Sequence, residues 1–475
     1  MSTCANCGRP LPRFAFGRAA ELCKDCLARE ATPPMMQSGN VGQGSAPAQF
    51  RARRQVSYSD FPVTSFLLGA NVLVYIAMVV TGVSPVEPST AALLKWGADF
   101  GPYTLGGQPW RILSSAFVHG GIIHIGFNMW CFWDLGRTSE RVFGKWPYLL
   151  IYLFTGVSAS LLSLLHNPVE VSVGASGAIF GICGALIPAL YFGRLPVPKA
   201  AIKATLRSLI FFAVFNLFLG ASIAHIDNYA HVGGLVFGLL AGLLLSRTLI
   251  WQSEAKRNVQ SAIFVALAVL LFFAWRFVER RNGFVVPLYA GSEAADRNDF
   301  KTATTDYARA IAMRPDIAEL HFILADTYRK QQQPDKAVPE LQKSLELNPH
   351  QPLAQSELCD AQIQLKQYAD AVTSCGSAFR DTSNNLAAAV NESAALIQLG
   401  RFPEAIQLLE PLAPRAPNVA QVHMNLARAY FESGRFSDAM SQYQQVLKAD
   451  PQNQDAAKGL QQSLAQLSIQ RHANR

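Results

Sequence analysis

Residues 171–186 read VSVGASGAIFGICGAL, apolar enough to lie within a membrane yet carrying Ser176 between Ala175 and Gly177. A hydroxyl gains little from lipid, and each glycine weakens a helix by roughly 1 kcal/mol against alanine. Gly177, Gly181 and Gly184 nevertheless stand within this one stretch. Two readings account for the pattern. Small residues let membrane helices approach backbone to backbone, or Ser176 is a nucleophile held at the start of a helix. The surrounding residues have to decide between them.

Outward from this stretch the chain continues as apolar spans near 63–80, 122–136, 147–165, 175–193, 208–224, 229–246 and 259–275. Several fall short of the ~20 residues that a spanning helix needs. Loop charges order them. Arg137, Arg141 and Lys145 separate the second span from the third, and Arg194, Lys199, Lys203 and Arg207 the fourth from the fifth. Arg247, Lys256 and Arg257 follow the sixth, whereas the loops after the third and fifth carry neither Lys nor Arg. Because Lys and Arg collect on the cytosolic side, the N-terminus is expected in the cytosol and, after seven spans, the C-terminus outside. Arg276, Arg280 and Arg281, beyond the last span, oppose that placement. The opening MSTCANCGRPLPRF has no apolar signal-peptide core, which agrees with a cytosolic start.

A chain of 475 residues exceeds one core and divides into several units. Half of it is hydrophobic and 16% charged, which favours a membrane protein. The net charge of +8 suits nucleic acid or an anionic membrane surface. Because the basic residues concentrate in the membrane loops, the lipid bilayer is the expected partner and no nucleic acid is expected.

Residues 1–30 carry two C-x-x-C pairs, Cys4 with Cys7 and Cys23 with Cys26, a spacing that suits a closed four-thiolate zinc site. So short a segment buries little, so zinc would supply its folding energy. Two redox pairs or disulfides are the other readings, and a cytosolic start disfavours disulfides. Residues 31–60, with the basic RARR at 51–54, read as a flexible linker.

From residue 287 to 475 the chain repeats with a period of 34. Alanines recur at Ala303, Ala337, Ala371, Ala405 and Ala439, and prolines at Pro315, Pro349, Pro417 and Pro451, with Ser383 in the missing slot. Twelve residues before each alanine stands a small residue: Gly291, Ala325, Cys359, Ser393 and Ala427. This is the tetratricopeptide pattern, a stack of helix pairs, and it implies a protein ligand without identifying it. Within one repeat, Cys359 and Cys375 face inward from paired helices, as a disulfide or as two buried thiols.

Several polar side chains accompany Ser176 within the apolar spans of residues 61–278, where such groups are costly. His124 and Asn128 share a helix face, and His231 begins the sixth span. All four open inward-running helices and share one depth near the outer surface. Gly234, Gly238 and Gly242 stripe the sixth span and, with Gly177, Gly181 and Gly184, bring the serine helix against the histidine helix. A serine within reach of a histidine is a minimal activated nucleophile, and Asn128, His124 and the Ser176 N–H suit an oxyanion hole. His225 is a weaker candidate base, and Asp227 reads as a solvated or capping residue.

The motifs WR at 110–111, H-x-x-x-N at 124–128, E-x-x-x-G at 140–144, GASG at 174–177 and AHVGG at 230–234 make residues 61–278 resemble the rhomboid intramembrane serine proteases. The resemblance implies a Ser176–His231 dyad without a third acid, cleaving transmembrane protein substrates near the outer face with no catalytic cofactor. It implies Asn128 and His124 in the oxyanion hole and His119 supporting the loop that carries Gly174. Gly177 lies in the same motif, and Trp110, Arg111, Glu140 and Gly144 are implied to be architectural. Phe180 stands where many relatives place tyrosine against the histidine. The expected fold is all-α: a polytopic membrane bundle of six spans plus a seventh, then an α-solenoid of repeats, with a small zinc ribbon at the N-terminus. The alternative is a catalytically inactive relative serving as receptor or scaffold. The setting implied is a bacterial inner membrane.

Overall fold

The computed structural model describes residues 60–223, 226–251, 254–381 and 385–473. Cys4, Cys7, Cys23, Cys26, the linker up to residue 59, His225 and Ser383 lie outside the described residues. Helices dominate, and the only isolated β-bridge among the described residues joins Asp99 to Ser172.

Among the described residues, seven long helices make most of the first part: α1 (Pro62–Val80), α2 (Ile122–Phe143), α3 (Lys145–His166), α4 (Ser176–Phe192), α5 (Lys199–Ser222), α6 (Asn228–Ser246) and α7 (Glu254–Asn282). Among the described residues, five of them (α1, α3, α5, α6 and α7) are long and apolar enough to cross a membrane. The short helical segment Arg111–Phe117 and α2 pass that test together, across a bend of 92°. Helix α4, with 17 residues, is shorter, and nearly all of it is buried among its neighbours. A helix enclosed by protein need not match the thickness of the bilayer.

Helix α2 extends seven residues past its expected end at 136 because its charges are accommodated. Arg137 pairs with Asp134 and lies over the Trp133 ring, and Arg141 lies over Phe61. Glu140 is buried and accepts hydrogen bonds from the backbone N–H of Val63 and Thr64 and from the Thr64 hydroxyl. Its carboxylate therefore caps the first turn of α1, where the helix dipole favours negative charge.

Helix α4 is the centre of the bundle. A Cβ added at Gly234, Gly238 or Gly242 of α6 would lie 1.9–2.1 Å from the carbonyl oxygens of Gly177, Gly181 and Ala185 respectively. The two backbones are in direct contact along this seam. The glycines of α4 divide their roles: Gly184 faces the α6 backbone, while a Cβ at Gly177 or Gly181 would strike Ala159 or Thr155 of α3. One glycine-rich helix is thus gripped from two sides.

Helix α7 has 29 residues, about 44 Å at 1.5 Å per residue, against ~30 Å of hydrocarbon. It begins beside the C-terminal end of α6, where Gln260 donates to the Thr248 hydroxyl. It ends with Asn282 donating to the Leu164 and Leu165 carbonyls at the C-terminal end of α3, at 2.7 and 2.9 Å. Arg276, Arg280 and Arg281 belong to the stem beyond the apolar stretch, with Arg276 paired to Glu279.

The repeats follow directly as helix pairs, the first being α8 (Val285–Asp296) and α9 (Phe300–Met313). Ala303, Ala337, Ala371, Ala405 and Ala439 are all fully buried, and a Cβ at Gly291 would meet the Tyr307 ring at 2.7 Å. Cys359 and Cys375 are joined in a disulfide. The fourth pair departs from the register: its second helix stops at Leu409, followed by Pro411 and a short 3-10 turn at Ala413–Arg415. Proline cannot donate the next helical hydrogen bond.

The seam sets the first prediction. Gly238→Ala should destabilise the bundle by roughly 1–3 kcal/mol, since the added methyl meets backbone that cannot rotate away. Reversible unfolding in mixed micelles measures this, and an unchanged midpoint would mean that the seam is looser than described.

Candidate active site

Ser176 is the first residue of α4, and no side chain caps that helix, so its first-turn N–H groups have no intrahelical acceptor. His231 lies in the first turn of α6 and is 8% exposed. The Ser176 hydroxyl and His231 Nε2 are 3.0 Å apart. Phe180, one turn along α4 from Ser176, stacks on the imidazole with ring centroids 4.3 Å apart and planes 11° from parallel. The aromatic ring thus holds one face of the imidazole while Nε2 meets the serine.

The loop before Ser176 is shaped by Gly174, whose φ of +111° disfavours any side chain. A Cβ there would lie 2.7 Å from His124 Nε2 and 3.3 Å from Asn128 Nδ2. Both α2 side chains therefore border the loop that presents Ser176. The Gly120 N–H donates to His124 Nδ1 at 3.2 Å, which leaves the ring proton on Nε2, facing the loop. Asn128 is buried and its Nδ2 has no hydrogen-bond partner among the described residues. An unmatched buried donor is costly, and a developing oxyanion would satisfy it.

His119 is fully buried beneath this loop, its Nε2 3.5 Å from the Ala175 N–H. The Gly174 N–H donates to the Ser115 carbonyl, and Ser172 pairs with Asp99 backbone to backbone at 2.9 and 3.0 Å. Arg111, from the WR motif, donates to the Leu94 and Ala98 carbonyls and lies over the Trp110 and Tyr103 rings. It thereby holds the loop between α1 and α2, on which the Asp99–Ser172 pairing depends.

Asp227 is half-buried and caps α6 by accepting from the Ala230 N–H at 2.9 Å. Its second oxygen accepts from the hydroxyls of Ser172 and Ser163. It therefore ties the serine loop, α3 and the histidine helix into one joint, a role that spacing alone did not reveal. Asn228, also passed over in the sequence, sits 3.3 Å from His231 Nδ1. Among the described residues no group of three or more His, Cys, Asp or Glu could hold a metal ion.

Residues 106–248 match the Rhomboid domain profile, and Tetratricopeptide repeat profiles match 289–352, 328–389, 363–424 and 396–464. The chain is 28% identical to Rhomboid protease GluP of Bacillus subtilis over 287 residues, 60% of this chain and 54% of that protein. It is 37% identical to RHOMBOID-like protein 6, mitochondrial, of Arabidopsis thaliana over 159 residues, 33% of this chain and 51% of the relative. Rhomboid protease AarA of Providencia stuartii is 29% identical over 220 residues, 42% of this chain and 77% of its own. The chain thus spans about half the length of the first two relatives. It carries a rhomboid domain followed by tetratricopeptide repeats.

The joint at Asp99 yields a pH prediction. Burial pushes the Asp99 carboxyl up to about 7 from 3.8, and the Asp227 charge adds to the rise, against hydrogen bonding from Thr104. With its folded value raised, Asp99 contributes fully to stability below the unfolded value, and that contribution is lost as pH rises through about 7. Wild-type stability in detergent should therefore fall between pH ~4 and ~7 relative to Asp99→Asn. Parallel pH curves for the two proteins would refute it.

Proposed function

We propose that the chain is an intramembrane serine endopeptidase that cuts transmembrane helices near the outer membrane surface. The observation that carries this reading is the 3.0 Å contact between the Ser176 hydroxyl and His231 Nε2 beneath the Phe180 ring. His231 takes the Ser176 proton as the hydroxyl attacks the scissile carbonyl, then returns it to the leaving amine. Asn128 Nδ2, His124 Nε2–H and the Ser176 N–H bind the oxyanion. Water then releases the acyl product by the same route. The repeats serve as a protein-interaction module beside the site. For residues 1–30 we read one structural zinc at Cys4, Cys7, Cys23 and Cys26, on their spacing alone.

Ser176→Ala and His231→Ala should each abolish cleavage of a reporter transmembrane substrate in proteoliposomes. Asn128→Ala should retain activity lowered about 10²–10³-fold. Undiminished cleavage by Ser176→Ala would overturn the reading and leave the receptor or scaffold alternative.

We place the repeats outside, on the side of the active site. In support, α7 leads from the Arg247–Arg257 end of the bundle to the α3 end that also holds Ser163 and Asp227. A disulfide between Cys359 and Cys375 fits an oxidising compartment. A membrane-impermeant protease added to spheroplasts should digest the repeats; digestion only after lysis would put them in the cytosol.

A further inference from the structure

We infer that Asn228 is a third member of the catalytic array, a positioning residue that fixes the tautomer and tilt of His231; the inference rests on the serine-protease reading above. Asn228 is the first residue of α6, one turn before His231. Its side-chain Nδ2 donates to the Leu217 carbonyl of α5 at 3.0 Å. A carbonyl only accepts, so the amide's NH₂ end must face Leu217 and its oxygen must face the other way. That oxygen lies 3.3 Å from His231 Nδ1. An amide oxygen likewise only accepts, so Nδ1 must carry the ring proton. Nε2 is then left with a lone pair toward the Ser176 hydroxyl, 3.0 Å away. Each bond dictates the next, and the chain ends in the one tautomer that can take a proton from the serine.

The surroundings preserve this orientation. A Cβ at Gly220 of α5 would lie 2.2 Å from Asn228 Oδ1 and 2.9 Å from its Cγ, so the carboxamide occupies space that only glycine leaves. Phe180 covers one face of the imidazole, which restricts rotation out of line with Oδ1. The nearby carboxylate that could have taken this role, Asp227, is already engaged with Ala230, Ser163 and Ser172. An amide orients the base without placing a formal charge beside it at membrane depth, where charge is costly. It also stabilises the imidazolium formed after proton transfer less than a carboxylate does, so its contribution is orientation.

The test uses full-length protein in proteoliposomes with the reporter substrate, and compares wild type, Ser176→Ala, Asn228→Leu and Asn228→Asp, with thermal unfolding followed alongside. Leucine nearly fills the space of asparagine but accepts nothing; aspartate keeps an acceptor facing Nδ1–H. Asn228→Leu should lower kcat roughly ten- to hundredfold with KM unchanged, and slow fluorophosphonate labelling of Ser176 by a similar factor. Asn228→Asp should recover part of both. Nitrogen NMR of imidazole-labelled wild-type protein should show His231 as the Nδ1–H tautomer, a readout that survives even if the variants unfold. Wild-type kcat in Asn228→Leu, equal loss in Asn228→Leu and Asn228→Asp at equal stability, or an Nε2–H tautomer in the wild type would each overturn the inference. Activity in Ser176→Ala would instead bring down the protease reading beneath it.

Discussion

The contact between the α4 and α6 backbones is the constraint from which the rest follows. With glycine at 234, 238 and 242 set against the carbonyls of Gly177, Gly181 and Ala185, no side chain separates the two helices. Their first turns are therefore held at one level, and the residues placed there, Ser176 and His231, meet at hydrogen-bond distance. Helix propensity is sacrificed at several positions to obtain it. Lipid gives no hydrophobic drive for helix association, so packing has to supply the free energy, and close backbone approach maximises dispersion contact. The closeness that makes the bundle cohere also brings the Ser176 hydroxyl to His231 Nε2.

A second requirement is that the loop before Ser176 not drift. Four polar ties converge on it: Gly174 to Ser115, Ala175 to His119, Ser172 to Asp99, and Ser172 to Asp227. They join the loop to three segments, the stretch holding Ser115 and His119, the loop at Asp99 and the start of α6 at Asp227, so none of these can shift without straining another. Asp227 acts on both partners at once, since the same carboxylate caps the histidine helix and holds Ser172. Preorganisation of this kind places donors before charge develops, which is where electrostatic catalysis gains most.

Much of this was legible in the sequence, for reasons of periodicity and chemistry. The 34-residue register exposed the repeats because every repeat must bury a small residue against its neighbour. The glycine stripe announced a close helix pair, and Ser176, His124, Asn128 and His231 stood out as polar groups in apolar spans. What escaped depends on contacts between segments distant in the chain. Gly177 and Gly181 were assigned to the α6 contact, yet their side-chain positions face α3. Asp227 and Asn228 looked like ordinary helix-start residues, because their second partners, Ser163 and Leu217, come from other helices. The early end of the second helix in the fourth repeat, at Leu409 before Pro411, also escaped, because the regular 34-residue period promises a full helix there.

The basic residues after the last span lie on the same continuous helix as the span itself. A span ending at residue 275 would set Arg276, Arg280 and Arg281 at the outer interface, against the usual bias. The helix continues unbroken to Asn282, so these residues lie on a helical stem beyond its apolar stretch, and the conflict with that bias stands. The stem is anchored: Asn282 holds the end of α3, and Tyr289 of α8 packs edge-on against Phe100 and Tyr103 of the loop between α1 and α2, with centroids 5.3 and 5.8 Å away. The loop touched by Tyr289 is the one whose Asp99 pairs with Ser172. The root of the repeat array and the support of the Ser176 loop therefore share one element.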